Sequence, residues 1–96
     1  MPRLKWSQPA LLDIARLHAF LAPKSQDAAK RAIKSIRQGV KALARHPESG
    51  RPVDDLPPEF REWVIEFGHA AYIALYHYDG KQVVMLAVRH GREVEY

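Results

Sequence analysis

The sequence predicts an α+β fold in which a helical hairpin packs on one face of an antiparallel sheet. Two amphipathic helical segments fill the first half of the chain, and three segments with strand-like alternation fill the second. A proline-rich connector at 47–59 separates the two halves. Helices followed by a run of strands favour separate helix and sheet layers. We therefore expect the element order β-α-α-β-β-β in one domain spanning residues 1–96.

Composition excludes several classes of function. The chain has 96 residues and no cysteine, which excludes disulfides, thiol nucleophiles and thiolate metal sites. No two histidines have a metal-ligand spacing that a third ligand completes, so we expect no metal and no cofactor. The amino terminus has no apolar run with the length of a signal peptide or membrane span, so we expect a cytoplasmic protein without a membrane partner. The formal net charge of +4 suits an anionic partner such as nucleic acid or an acidic protein segment. We expect no small-molecule substrate.

The chain begins with a short strand whose Leu4 and Trp6 point inward, and we place this strand beside the last one. Ser7 is predicted to cap the first helix, with Pro9 in its first turn. The outer side of this helix leaves two large apolar residues, Leu12 and Phe20, in solvent beside Arg16. The opposite, buried stripe is predicted to contain Leu11, Ile14, Ala15, His18, Leu21 and Ala22.

The second helix is predicted to run from Gln26 to Arg45, with Ser25 as its N-cap. Its buried stripe comprises Ala29, Ala32, Ile33, Ile36, Val40 and Leu43. A neighbouring basic stripe lies within about 80° of helix surface and consists of Lys30, Lys34, Arg37, Lys41 and Arg45. Such segregation of like charges favours an anionic partner, and a merely solvated basic face is the equal alternative.

The second half reads as a three-stranded meander. Asp79-Gly80 fits a two-residue type I′ turn, which would set Tyr76 opposite Val83. This register predicts an aliphatic face with Ile73, Leu75, Val84, Leu86 and Val88 under the helices, and an open face with Tyr72, Ala74, Tyr76, Met85, Ala87 and Arg89. A three-residue loop at 68–70 would then bring Trp63, Ile65 and Phe67 to the aliphatic face.

The order and spacing of four segments resemble the toxins of the bacterial RelE/ParE superfamily, the toxic half of type II toxin–antitoxin pairs. These segments are ARHPESGRP, LPPEFREWVIEFG, AAYIALYHYDG and VVMLAVRHGRE. The resemblance implies the fold derived above, a bacterial cytoplasmic setting and a cognate antitoxin that wraps around the toxin. We expect the antitoxin to contact Leu12, Arg16 and Phe20, because paired exposed apolar residues usually meet a partner.

The two branches of the superfamily imply different chemistry. The RelE-like branch cuts messenger RNA on the ribosome, which requires proton-transfer groups and cations, and the ParE-like branch inhibits DNA gyrase by binding it. The nuclease candidates by resemblance are Arg61, Arg89, His90, Arg92 and Tyr96. Trp63 and Ile73, however, stand where the nuclease branch has cations. We therefore favour a gyrase-binding toxin without catalytic residues, with a ribosome-dependent endoribonuclease and a non-toxic RNA-binding module as the alternatives.

The gyrase-binding interpretation predicts a target surface at the end of the chain. Its members are Tyr72 on the open sheet face together with Arg89, His90, Arg92 and Tyr96. Basic and aromatic side chains of this kind are common interface anchors. A structural interpretation competes at two points: the tail could extend the last strand, and Arg61 could cap the sheet by pairing with Asp54 or Asp55.

Overall fold

A computed structural model describes residues 2–93 and confirms the predicted fold class. The sheet has five strands in the order β1-β5-β4-β3-β2, with β1 parallel to β5 and the other neighbours antiparallel. The first strand lies beside the last, as predicted, and β2 is an additional short strand. The elements are β1 (Arg3–Trp6), α1 (Gln8–Leu21), α2 (Gln26–Arg45), β2 (Arg51–Pro52), β3 (Phe60–Phe67), β4 (Ala70–Tyr78) and β5 (Gln82–His90).

Both helices begin at the predicted serine caps. The Ser7 hydroxyl accepts a hydrogen bond from the Ala10 N–H at 3.2 Å, and the Ser25 hydroxyl accepts one from the Ala28 N–H at 3.1 Å. Each cap satisfies a backbone donor that the first helical turn leaves without a partner. The predicted bounds of α2 are confirmed.

Helix α2 forms the centre of the core. Its predicted apolar stripe is confirmed, since Ala29, Ala32, Ile36, Val40 and Leu43 have no exposed surface and Ile33 is partly buried against the core. The helix approaches β3 closely at Gly39, where an added Cβ atom would lie 2.7 Å from Ile65 Cγ1. The sequence thus uses a glycine, a poor helix former, to let the helix sit against the sheet.

Helix α1 is rotated from its predicted orientation. Its buried residues are Ala10, Ile14 and Leu17, whereas Leu11 is 44% exposed and His18 is also exposed, so the predicted buried stripe was wrong in part. Strand β5 explains this rotation of α1. β1 pairs only with the first part of β5, from Gln82 to Met85. The free edge beyond Met85 needs polar partners, and the rotation brings polar side chains of α1 to that edge.

The β4–β5 register also differs from the prediction. Tyr78, not Tyr76, lies opposite Val83. The Asp79 carboxylate accepts hydrogen bonds from the N–H groups of Lys81 and Gln82 at 2.8 and 2.9 Å, an Asx-type turn that replaces the expected type I′ turn. A β-bulge then adds Leu86 to β5, so Tyr72 lies opposite His90 further along the ladder.

The predicted faces of β4 are also exchanged with respect to the helices. Tyr72 and Tyr76 belong to the hydrophobic core, with 2% and 0% exposure, together with Met85. The β3–β4 loop has two residues, Gly68 and His69, rather than the predicted three, and it pairs Phe67 with Ala70. Trp63, Ile65 and Phe67 still face the core as expected. They face the core because they pair with the core-facing residues of β4, which include Tyr72 and Ala74, and not with the predicted partners Ile73 and Leu75.

Tyr76 holds the connector against the sheet through two hydrogen bonds of its hydroxyl group. Its hydroxyl donates to the Pro47 carbonyl at 2.7 Å and accepts from the Gly50 N–H at 3.0 Å. An added Cβ atom at Gly50 would lie 2.4 Å from that hydroxyl oxygen. Burial raises the pKa of Tyr76, and the Gly50 hydrogen bond opposes this rise only in part. A buried phenol with both of its hydrogen bonds made fixes the chain between α2 and β2.

Candidate functional site

A groove opens at the end of the molecule where the carboxyl half of α1 meets the start of β4 and the end of β5. Its cavity volume is 590 Å³. A shallower cavity of 340 Å³ continues it towards the β3–β4 turn and shares Leu21, Ala70, Tyr72, His90 and Arg92 with it. We call this surface the terminal groove; its lining is Arg16, Leu17, Phe20, Leu21, Lys24, Ala70, Tyr72, His90, Arg92 and Glu93.

The α1 wall of the terminal groove is apolar with a cationic rim. Phe20 is 62% exposed, and the Lys24 ammonium lies 4.4 Å from the centroid of its ring. A cation held over an aromatic face is a stabilising arrangement, and both residues line the cavity. Leu12 is equally exposed at 61% but does not line the groove. The predicted antitoxin residues thus divide, with Arg16 and Phe20 in the groove and Leu12 outside it.

Tyr72 lies at the base of the groove rather than on an open sheet face. The predicted placement was wrong, because the exchange of faces in β4 turns this residue under the helices. Its ring meets His90 edge-on, with ring centroids 5.4 Å apart and an interplanar angle of 79°. Burial raises the pKa of Tyr72, so the phenol stays neutral at ordinary pH. Although only 2% exposed, Tyr72 supports the imidazole that the groove presents.

The opposite wall is a compact turn after β5. The Glu93 carboxylate accepts from the His90 N–H at 2.8 Å, and His90 Nδ1 accepts from the Arg92 N–H at 3.0 Å. The hydrogen bond from His90 is the largest effect that lowers the pKa of Glu93, and Arg16 lowers it further. These contacts leave the Arg92 side chain exposed at the mouth of the groove.

Arg16 joins the two walls. Its guanidinium contacts Glu93 Oε1 at 3.2 Å, the Val88 carbonyl at 3.4 Å and Asp13 at 3.8 Å. Asp13 in turn accepts from the Val88 N–H at 2.9 Å. Together these side chains satisfy the edge of β5 that β1 leaves uncovered. The sequence did not lead us to assign Asp13 or Glu93 to the site; the Asp13–Arg16 spacing of three residues was the available signal for Asp13.

Arg89 faces away from Tyr72, contrary to prediction. It pairs with Ile73 across the β4–β5 ladder, and its guanidinium donates to the backbone carbonyls of His90 and Glu93. The bulge at Leu86 is the cause, because one extra residue exchanges the faces of everything beyond it. Arg89 therefore braces the terminal turn from the far side of the sheet, outside the groove.

Arg61 lies far from the other residues proposed for RNA cleavage. It donates to the carbonyls of Glu48 and Gly50, both at 2.9 Å, so the competing interpretation that it pairs with Asp54 or Asp55 was wrong. These two connector carbonyls, and not the carboxylates, are the partners of the Arg61 guanidinium because they lie within hydrogen-bond distance of it. On β4 the neighbour of Arg61 is Tyr76 and that of His90 is Tyr72. Four residues of strand separate these positions by about 13 Å.

The structure brings His90 and Arg92 together in the groove and leaves Arg61 and Arg89 outside it. Tyr96 lies outside the described residues. Within residues 2–93, no group of three histidine or acidic side chains is arranged to hold a metal ion. In the same part of the chain, neither helix is long and apolar enough to cross a membrane.

The basic stripe is a separate surface on the outer side of α2. All five of its residues, Lys30, Lys34, Arg37, Lys41 and Arg45, are exposed, as predicted. Arg31, which borders the stripe, forms an ion pair with Asp27 at 3.0 Å. The guanidinium of Arg37 lies 5.7 Å from the centroid of the Trp6 ring.

Comparison with known proteins agrees with this architecture. Residues 4–95 match the family described as the ParE toxin of the type II toxin–antitoxin system parDE. Toxin RelE3 of Caulobacter vibrioides is 31% identical over 81 residues, which is 84% of this chain and 85% of that protein. Putative toxin Y4kP of Sinorhizobium fredii is 38% identical over 50 residues, 52% of each chain.

The fold is also that of a solved structure described as the chromosomal ParDE system from P. aeruginosa. The two chains are 24% identical and superpose with a TM-score of 0.74, covering 94% of this chain and 96% of the other. Because the family match extends over nearly the whole sequence, this chain belongs to the ParE toxin family of type II toxin–antitoxin systems.

Proposed function

We propose that this toxin acts by binding a protein, that its target is DNA gyrase, and that a cognate antitoxin neutralises it by covering the terminal groove. The choice of gyrase rests on membership of the ParE family, not on residue chemistry. The observation that supports a binding function is the groove itself, where exposed apolar and cationic side chains meet on a fixed frame. Such a combination is typical of protein interfaces.

The positions of the charged side chains disfavour the endoribonuclease alternative. Cleavage by attack of a 2′-hydroxyl needs a proton acceptor, a proton donor and cations around one phosphate. Arg61 is about 13 Å along the sheet from His90, and its Nη1 atom is engaged by two carbonyls. Arg89 faces the other side of the sheet. Of the nuclease candidates that the structure describes, His90 and Arg92 line the groove, and they suit contact with a partner.

In the proposed interaction Arg92 reaches the target. Its side chain is exposed, while its own N–H and the carboxylate of Glu93 hold the turn that carries it. An arginine at a preformed position loses less conformational freedom on binding than one in a mobile tail. Antitoxin bound against Phe20 would cover Arg92 across the same groove. Neutralisation would then follow from exclusion of the target.

Supercoiling of relaxed plasmid by purified gyrase tests this function, with cell-free translation measured in parallel. We expect the toxin to inhibit supercoiling and to leave translation intact. Arg92→Ala should weaken inhibition about tenfold or more, as expected for loss of an interface anchor worth ~1.4 kcal/mol or more. Lys81→Ala removes the same charge from the exposed β4–β5 turn and should inhibit like the wild type. Codon-specific cuts in ribosome-bound messenger RNA, with gyrase unaffected, would refute the proposal.

A further inference from the structure

The basic stripe of α2 carries more positive charge than the net charge of the whole chain. Its five cations outnumber the formal net charge of +4, so the rest of the molecule is slightly acidic. Asp27 is the helix's single acidic residue, and it pairs with Arg31 outside the stripe. Within residues 2–93, no stripe residue has a carboxylate within ion-pair distance. The stripe is therefore a concentration of positive charge without a direct carboxylate contact in the described part of the chain.

The stripe also lies on a helix whose position is set by the core. The neighbouring apolar stripe of α2 packs on the core from Ala29 to Leu43, which fixes the helix on the sheet. At a rise of 1.5 Å per residue, Lys30 and Arg45 lie about 22 Å apart along the helix axis. The stripe therefore presents a row of cations whose spacing does not depend on a mobile loop.

We propose that the basic stripe binds double-stranded DNA through its phosphate backbone. A duplex offers one phosphate per strand every 3.4 Å along its axis, so 22 Å of cations spans about six base pairs. The stripe has no aromatic member, and Trp6 is half-buried beneath Arg37. Single-stranded nucleic acids are usually held by stacking bases on exposed aromatic rings. A cationic row without such rings fits sequence-independent contacts to a duplex.

This inference stands apart from the gyrase proposal, because DNA binding is measured on the toxin alone. Fluorescence anisotropy with a labelled 20-base-pair duplex would give the dissociation constant at several salt concentrations. If all five cations contact phosphates, the logarithm of the binding constant falls with that of salt with a slope of about −4.5. Affinity should then drop about 500-fold between 25 and 100 mM salt.

The decisive comparison uses two variants that lose the same charge. Lys30→Gln, Lys34→Gln and Lys41→Gln remove three stripe cations and should reduce the slope to about −1.8. Arg3→Gln, Lys5→Gln and Lys81→Gln remove three exposed charges elsewhere and should leave most of the slope intact. Arg3 and Lys5 alternate along β1 with Leu4 and Trp6, which pack on the core, so their side chains lie on the other sheet face. Glutamine matches lysine in helix propensity, and thermal melting would verify folding.

Four results would overturn the inference. The first is equal loss of affinity in both variants, which would assign binding to net charge alone. The second is a wild-type slope shallower than −1, which would leave too few phosphate contacts for the stripe. The third is single-stranded RNA binding tenfold more tightly than the duplex. The fourth is tighter binding of polyglutamate than of the duplex, which would point to an acidic protein.

Discussion

Phe20 is the side chain whose truncation tests the proposed antitoxin contact most directly. It is 62% exposed on the α1 wall of the terminal groove. A phenylalanine buries about 200 Å² when fully covered, so a partner could cover about 125 Å² more of it. At 25 cal/mol per Å² this is about 3 kcal/mol, or roughly 150-fold in the dissociation constant. We expect Phe20→Ala to weaken binding of the cognate antitoxin by about 30- to 150-fold.

Isothermal titration calorimetry of purified toxin with its antitoxin would measure this loss. Leu56→Ala provides a matched control, because Leu56 is 43% exposed in the connector at the other end of the sheet. Alanine is the best helix former, so the Phe20 substitution should not unfold α1. Wild-type affinity in Phe20→Ala, with a normal melting temperature, would refute the proposed role of the groove in neutralisation. Equal losses in the two variants would refute it as well.

Three further predictions concern the frame around the groove. Tyr76→Phe removes both hydrogen bonds that hold the connector, which should cost about 2 kcal/mol and lower the melting temperature by about 10 °C; an unchanged melting temperature would contradict this. Gly39→Ala should destabilise the fold, because overpacking against Ile65 costs about 1–3 kcal/mol, whereas alanine gains up to ~1 kcal/mol in helix propensity. A rise in melting temperature would contradict this and would show that β3 moves away from α2 to make room. Folding lowers the pKa of Glu93, so the stabilisation that its ionised carboxylate gives the fold is present above about pH 4.3 and is lost as the pH falls through the folded-state pKa. The melting temperatures of wild type and Glu93→Gln should therefore converge in acid. A difference that stays constant with pH would contradict this role of Glu93.

The helices were predictable because their signals are local. Each serine cap lies next to an apolar periodicity of helical spacing, and each makes the expected hydrogen bond. The bounds of α2 could therefore be predicted from residues within the helix. The orientation of α1 could not, because its rotation depends on the free edge of β5, far away in sequence. Asp13 reaches the Val88 N–H across 75 residues, and periodicity within one helix contains no information about such a partner.

The strands show the same limit in a different form. Alternation identified β3, β4 and β5, but it leaves open which of the two alternate faces meets the helices. Two tyrosines on one face of β4 were interpreted as an exposed aromatic surface. The structure buries Tyr72 and Tyr76, and the hydroxyl of Tyr76 finds both partners in the connector. A buried tyrosine is stable only where its hydroxyl is satisfied, and that condition depends on a loop 26 to 29 residues away.

The β-bulge at Leu86 decides which basic residue of β5 belongs to the proposed binding surface. Before the bulge, Tyr76 pairs with Met85, and an uninterrupted ladder would place Arg89 opposite Tyr72. That arrangement would put the guanidinium in the groove and His90 on the far face. The extra residue exchanges them, so His90 meets Tyr72 in the groove while Arg89 braces the terminal turn from behind. The chemistry that the groove offers a partner is therefore set by one inserted residue in the middle of β5, four positions before the histidine that it places.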